Sequence, residues 1–194
     1  TEERGLWPNI KSWFKSTYWA YSGTTQAEVK TKLGLTGLTE AAMKTNPKHR
    51  TYKHFLYKVE GLQLDDLVLR KVYTPSSFWR ILKLDQLSNQ YRTSELKLFK
   101  RFLTRYERQV YRGHNRYNEH FGTVEAQKIL YVKLWANAKR GESYVKRMLD
   151  IDHGTRHYSH AYHGSVTRWK PEKVIKTHPN YKYLDQFRKL RNPW

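Results

Sequence analysis

Residues 94–112 read SELKLFKRFLTRYERQVYR, and this stretch decides the fold class. At about 100° per residue, its apolar side chains fall on one helical face and its cations fall on the opposite face, within about 80°. The spacing predicts an amphipathic helix that Ser94 caps and Gly113 ends. The apolar face comprises Leu96, Phe99, Phe102, Leu103, Tyr106 and Val110, and the basic stripe comprises Lys97, Arg101, Arg105, Arg108 and Arg112.

Helical start and stop signals recur along the rest of the chain. Thr25-Gln26-Ala27-Glu28 reads as a capping box, and Thr74-Pro75 reads as a capping threonine followed by proline at the first helical position. Few segments alternate with period two, so an all-α fold is predicted. Residues before proline avoid helical conformations, which predicts breaks at Asn46-Pro47, Thr74-Pro75, Trp169-Lys170-Pro171 and His178-Pro179.

The composition is that of a folded, strongly basic chain. Its 194 residues suffice for one sizeable domain or two small ones, and an aromatic fraction of 15% can supply a core. The net charge of +20 indicates an acidic partner, a nucleic acid, an anionic membrane or a solubilising surface. A sequence without cysteine excludes disulfides and thiol chemistry. No apolar run approaches the roughly 20 residues of a membrane span, so none is predicted.

Three heptapeptides align without gaps and predict internal repeats. Each has apolar residues at its first, fifth and seventh positions; on a helix the first and fifth share a face, and the seventh can fold back past the helix end. Trp19 precedes the first heptapeptide by the interval at which Trp135 precedes the third, and Val68 takes this place before the second. The apolar positions are Val29, Leu33 and Leu35, then Phe78, Leu82 and Leu84, then Val145, Leu149 and Ile151.

The order of these residues resembles a known family. Trp19, the heptapeptide 29–35 and Tyr52 after Asn46-Pro47 look like the W and Y motifs of WY-domain RxLR effectors, which oomycete plant pathogens such as Phytophthora secrete and deliver into host cells. Glu2-Glu3-Arg4 resembles the end of the dEER motif. Because the chain starts at Thr1 without Met or signal peptide, a processed mature region beginning at that motif is expected.

The resemblance implies about three related helical bundle units packed in series. An N-terminal segment covers 1–15, and a first WY-type unit covers 16–62. A leucine-variant unit covers 63–113, and a third WY-type unit covers 114–194 with a His- and Tyr-rich insertion near 152–170. Trp19, Tyr52 and Trp135 are core residues in this interpretation.

The resemblance also implies a function without catalysis or a cofactor. Members of the family bind host plant proteins and thereby suppress immunity or divert trafficking, in the host cytoplasm or nucleus. The alternative is a nucleic-acid binder that uses phosphate contacts and stacking aromatic residues. Arg188-Lys189-Leu190-Arg191 approximates a nuclear-import motif, and its alternative is a basic last turn favoured by the helix dipole.

The basic stripe is the predicted partner-binding site. It would dock on phosphates or on an acidic protein surface, because ordinary exposed faces mix both charge signs. The alternative is a solvated helix face.

Catalytic and metal-binding motifs are weak in this sequence. It has no Walker pattern, no Gly-x-Ser-x-Gly and no His-Glu-x-x-His, so no catalytic residue is predicted. Four histidines would share one face of a helix and are candidate zinc or copper ligands, but Gly154 and Gly164 weaken that helix, and no metal site is predicted. These histidines are His153, His157, His160 and His163.

Overall fold

The computed structural model describes residues 6–86, 93–113, 124–152, 154–159 and 164–192, with the backbone alone described for 6–11, 155–159 and 164–167. The helices are α1 (Leu6–Tyr21), α2 (Gln26–Leu33), α3 (Glu40–Thr45), α4 (His49–Leu69), α5 (Pro75–Ile81), α6 (Ser94–Tyr111), α7 (Glu125–Asn137), α8 (Glu142–Met148), α9 (Glu172–Ile175) and α10 (Tyr181–Arg191). The predominance of helix confirms the predicted fold class. Within the described ranges, none of these helices is long and apolar enough to cross a membrane.

A two-stranded hairpin is the departure from the all-α prediction. Strand β1 (Thr155–Ser159) pairs antiparallel with β2 (Gly164–Arg168), and Thr155 lies opposite Arg168. Threonine, tyrosine and valine favour extended backbone here, and the flanking glycines disfavour a helix. Asp152 connects the two ends of the hairpin, because its carboxylate accepts hydrogen bonds from the backbone N–H groups of Gly154 at 2.9 Å and Lys170 at 2.5 Å.

The chain divides after Arg70 into two compact units. In the first unit, α1, α2 and α3 all pack against α4. Met43, Leu56, Val59 and Leu62 are partly buried around its core. The core itself consists of Trp19, Ala20, Val29, Leu33, Leu35, Tyr52 and Phe55.

The second unit is built on α6, α7 and α10. Helix α7 packs against α10 and α6, and α5 packs against α6. The largest fully buried side chains of this unit include Trp79, Phe99, Phe102, Trp135 and Phe187. Aromatic residues therefore supply much of its core, which explains how a chain of low mean hydropathy buries enough apolar area.

The three heptapeptides share one backbone conformation. The sixth residue of each has positive φ, namely 66° at Gly34, 53° at Lys83 and 58° at Asp150. The seventh residue then donates its N–H to the carbonyl of the second residue, at 2.8 Å from Leu35, 3.2 Å from Leu84 and 3.0 Å from Ile151. This bond turns the seventh side chain into the core, where all three are buried. Leu82 differs from its counterparts Leu33 and Leu149 because it is only half-buried.

Two predicted helix starts are confirmed and one is wrong. Thr25 and Glu28 form the capping box of α2, and Thr74 caps α5 with Pro75 in its first turn. The cap of α6 is Thr93, whose hydroxyl accepts from the N–H of Leu96, and not Ser94. Because both residues are good caps, the choice depends on where the chain leaves extended conformation, which local sequence does not specify.

Candidate partner-binding surface

The basic stripe lies on α6 and its C-cap, and its five side chains differ in solvent exposure. Lys97, Arg108 and Arg112 are exposed, whereas Arg101 and Arg105 are half-buried. Arg105 donates from Nη1 to the carbonyl oxygen of Arg101 at 3.2 Å, so it lies along the helix rather than reaching outwards. The exposed cations extend over about 22 Å of helix axis. Three of the five cations predicted for the stripe are therefore accessible to a partner.

The exposed cations of the stripe have no carboxylate partners among the described residues. Two carboxylates of the second unit pair with other cations: Glu107, on α6 itself, with Arg140, and Glu142 with Lys146 and Arg188. An exposed helix face normally mixes both signs of charge for local pairing. The uncompensated charge makes this surface attractive to an anionic partner.

An apolar groove lies beside the stripe, between α5, α6 and α7, with a volume of about 280 Å³. Its lining includes Trp79 from α5, Leu103 from α6, and Ile129, Leu130 and Leu134 from α7. The three α7 side chains are half-buried, because α7 buries Tyr131, Val132 and Trp135 on its other side. Lys100 and Lys133 line the groove and are exposed.

Ser16 and His54 form the kind of distant pair that sequence motifs miss. Ser16 Oγ lies 2.7 Å from His54 Nδ1 and donates to the carbonyl oxygen of Trp13 at 3.0 Å. The hydroxyl oxygen therefore accepts from Nδ1–H, the reverse of a nucleophile activated by a base. Ser16 is fully buried, and the Trp13 ring stacks on His54 at 4.3 Å. The pair holds α1 against α4.

Protonation of His54 is expected to weaken the first unit at acidic pH. Burial first, and then the charge of Lys58, lower the pKa of His54 below its ordinary value of 6.5. The unfolded chain thus binds this proton more readily, so the contribution is fully present above about pH 6.5 and is lost as the pH falls. Urea unfolding at pH 7.5 and 5.5 measures this contribution of His54 to the stability of the first unit. His54→Gln should reduce the difference in unfolding midpoint between the two pH values; a difference equal to that of the wild type would contradict the prediction.

A buried ion pair connects α6 to the turn between α7 and α8. Arg140 donates from Nε and Nη2 to the two carboxylate oxygens of Glu107, at 2.8 and 2.7 Å. The guanidinium lies 3.6 Å from the centre of the Tyr111 ring. Tyr144 lies close by, and burial and the Glu107 charge raise its pKa. No sequence signal identifies this pair, because its members are 33 residues apart.

The basic run near the C-terminus takes part in internal contacts. Arg188 binds both Glu142 and Glu172, Lys189 pairs with Asp185, and Arg191 donates to the carbonyl oxygen of Arg140 at 2.9 Å. The Arg188 hydrogen bonds, although opposed by burial, hold the pKa of Glu142 at about 2. These contacts favour a structural role for the run over an import signal.

Of the four candidate histidines, the structure describes His157. His157 lies in strand β1, so the helix assumed for them does not form there. His153, His160 and His163 lie outside the described residues, as do Glu2, Glu3 and Arg4. Among the residues that are described, no group of three or more His, Cys, Asp or Glu side chains is placed to hold a metal ion.

The structure thus describes a basic helical protein whose distinctive surface is suited to binding. Comparison with known proteins finds 25% identity over 159 residues to a secreted RxLR effector protein of Phytophthora infestans (strain T30-4), covering 77% of this chain and 69% of that protein. This similarity supports a relationship to RxLR effectors. No protein-family model and no solved structure matches the chain.

Proposed function

We propose that this protein is a secreted, host-translocated effector of the RxLR type that binds a host plant protein and acts without catalysis, suppressing or redirecting immunity. The similarity to the Phytophthora protein supports the effector role. The observation that carries the binding role is the charge of Lys97, Arg108 and Arg112, on α6 and its C-cap, which are exposed and form no ion pair with a described residue. The partner is a protein with an acidic surface, met in the host cytoplasm or nucleus.

The tandem WY-type organisation belongs to the same proposal. The common backbone of the three heptapeptides and the buried Trp19, Tyr52 and Trp135 support it. In this proposal the units at 16–62, 63–113 and 114–194 are variations of one helical bundle. Their role is to present solvent-exposed helix faces on rigid cores.

Affinity purification from plant cells tests the binding role. The tagged chain is compared with the variant Lys97→Glu, Arg108→Glu, Arg112→Glu, with and without nuclease, and host proteins are quantified by mass spectrometry. We expect a host protein that survives nuclease, with recovery about tenfold lower from the variant because electrostatic attraction is lost. The variant should keep its helical circular dichroism, since the three side chains are exposed and unpaired in the described structure.

A charge-matched control separates the stripe from overall charge. Arg50→Glu, Lys53→Glu, Lys173→Glu changes three exposed cations by the same total amount, and it should retain the partner. Equal loss from both variants would show that net charge, and not the stripe, drives binding. Loss of every partner on nuclease treatment, with affinity that falls steeply with salt, would establish the nucleic-acid alternative instead.

A further inference from the structure

We propose that the groove between α5, α6 and α7 is the seat of an acidic amphipathic helix of the partner protein. This inference rests on the proposed function and specifies the partner segment. The groove presents the half-buried apolar side chains of α7, Ile129, Leu130 and Leu134, to an incoming apolar face, and the buried Trp79 and Leu103 form its floor. At about 280 Å³ it lies near the lower end of the roughly 300–1,000 Å³ typical of small-molecule sites. It suits a few apolar side chains better than a large cofactor.

The length of the groove favours a helical segment. Its α6 side extends from Leu96 to Thr104, about 12 Å of helix axis, and its α7 side extends from Ala126 to Asn137, about 16 Å. A ligand helix of two to three turns matches this length. Such a helix anchors through side chains at positions i, i+4 and i+7, as in other helix-in-groove complexes.

Charge complementarity identifies the other face of that helix. Lys100 stands on the α6 side of the groove and Lys133 on the α7 side, and neither forms an ion pair with a described residue. At about 100° per residue, Lys100 lies about 60° around α6 from Lys97, so the groove opens onto the basic stripe. Among the described residues that line it there is no carboxylate. Carboxylates flanking the apolar face of the ligand would therefore meet cations on both sides.

A second copy of this chain is a poorer occupant. The exposed aromatic face of α1, formed by Phe14, Tyr18 and Tyr21, is apolar enough to enter a groove, but its exposed charged neighbour is Lys15. Two chains of net charge +20 also repel each other. The charges therefore favour an acidic partner over self-association.

A designed peptide tests the groove directly on the full chain. The probe is a fluorescein-labelled helical peptide of about three turns, with leucines at i, i+4 and i+7 and glutamates on the flanks. Two controls are a scrambled peptide of equal composition and a version with lysines in place of the glutamates. Fluorescence anisotropy should show saturable binding of the first peptide and about tenfold weaker binding of both controls.

Variants of the chain locate the binding site. Lys100→Glu, Lys133→Glu should weaken peptide binding about tenfold, whereas the charge-matched Arg50→Glu, Lys53→Glu should not. Leu130→Ala, which truncates a half-buried groove side chain, should weaken binding while circular dichroism and Tm verify its fold. Hydrogen exchange on the wild-type chain should show peptide-dependent protection in α6 and α7. Equal affinity for the scrambled peptide, or protection elsewhere, would overturn the assignment.

The outcomes distinguish this inference from the proposed function. If the patterned peptide does not bind but the nuclease-resistant host protein still depends on the stripe, the groove assignment fails and the effector proposal stands. If the peptide binds in the groove but no host protein is recovered, the proposed function fails. Dimerisation in sedimentation that Leu130→Ala abolishes would make a second copy the occupant and overturn the acidic partner.

Discussion

Truncation of Trp135 to alanine is expected to lower the free energy of unfolding of the second unit by about 3–5 kcal/mol. The side chain is fully buried on α7. The centre of its ring lies 5.4 Å from the centre of the Tyr131 ring. It lies 6.4 Å from the centre of the Tyr144 ring, which it meets edge-on. Truncation removes the transfer free energy of the indole and leaves a cavity that rigid helices fill poorly. The backbone bond from Arg140 N–H to the Trp135 carbonyl remains, so the loss reports on packing.

Urea unfolding followed by circular dichroism measures this change, and amide exchange in α7 and α10 locates it. Phe14→Ala is the matched control, since its ring is 73% exposed and its loss should change stability by no more than about 0.5 kcal/mol. A loss below about 1 kcal/mol for Trp135→Ala would contradict the packing role. Retained stability would leave this tryptophan available for a ligand-contacting role instead.

Removal of one partner of the Glu107–Arg140 pair is expected to cost about 3–5 kcal/mol, because it leaves a buried charge uncompensated. Glu107 is 2% exposed and both of its carboxylate oxygens are bound by one guanidinium. The hydrogen bonds that Arg140 donates to Glu107, although opposed by burial, raise the pKa of Arg140, so the guanidinium stays charged. Glu107→Ala and Arg140→Ala should both loosen the contact of α6 with the α7–α8 turn.

A double-mutant cycle provides the control. Glu107→Leu with Arg140→Met replaces the pair by apolar side chains and should recover most of the stability lost in either single variant. Arg140→Lys keeps the charge but lacks the planar fork that binds both oxygens, and it should fall between the wild type and Arg140→Ala. Additive single losses, with no recovery in the double variant, would show that the two residues are not coupled.

The periodicity of α6 predicted its face but not the exposure of its charges. Spacing at 100° per residue placed five cations on one side, and the helix forms there. Exposure depends on what packs beside the helix, so Arg101 and Arg105 are half-buried. The role of Glu107 cannot be inferred from the sequence for the same reason, because a carboxylate beside an apolar face is interpretable only once Arg140 is known to approach it.

Local rules failed where neighbouring residues favour more than one conformation. Thr93 and Ser94 are both good caps, and residues 155–168 combine helix-disfavouring glycines with β-favouring side chains. The carboxylate of Asp152 accepts hydrogen bonds from the backbone N–H groups of Gly154 and Lys170 at the ends of the hairpin. Lys170 lies eighteen residues from Asp152 in the sequence. A contact of that range has no signature in a window of seven residues.

Local sequence specifies the helical class, the apolar positions of the three heptapeptides, the caps at Thr25 and Thr74, and the excess of positive charge. These properties follow from backbone geometry and composition within a turn or two of helix. The exposure of individual cations, the pairing of other cations with carboxylates, and the apolar groove beside the stripe depend on tertiary packing. Packing brings together residues such as Ser16 and His54, or Glu107 and Arg140, whose separation along the chain carries no information about their distance in space.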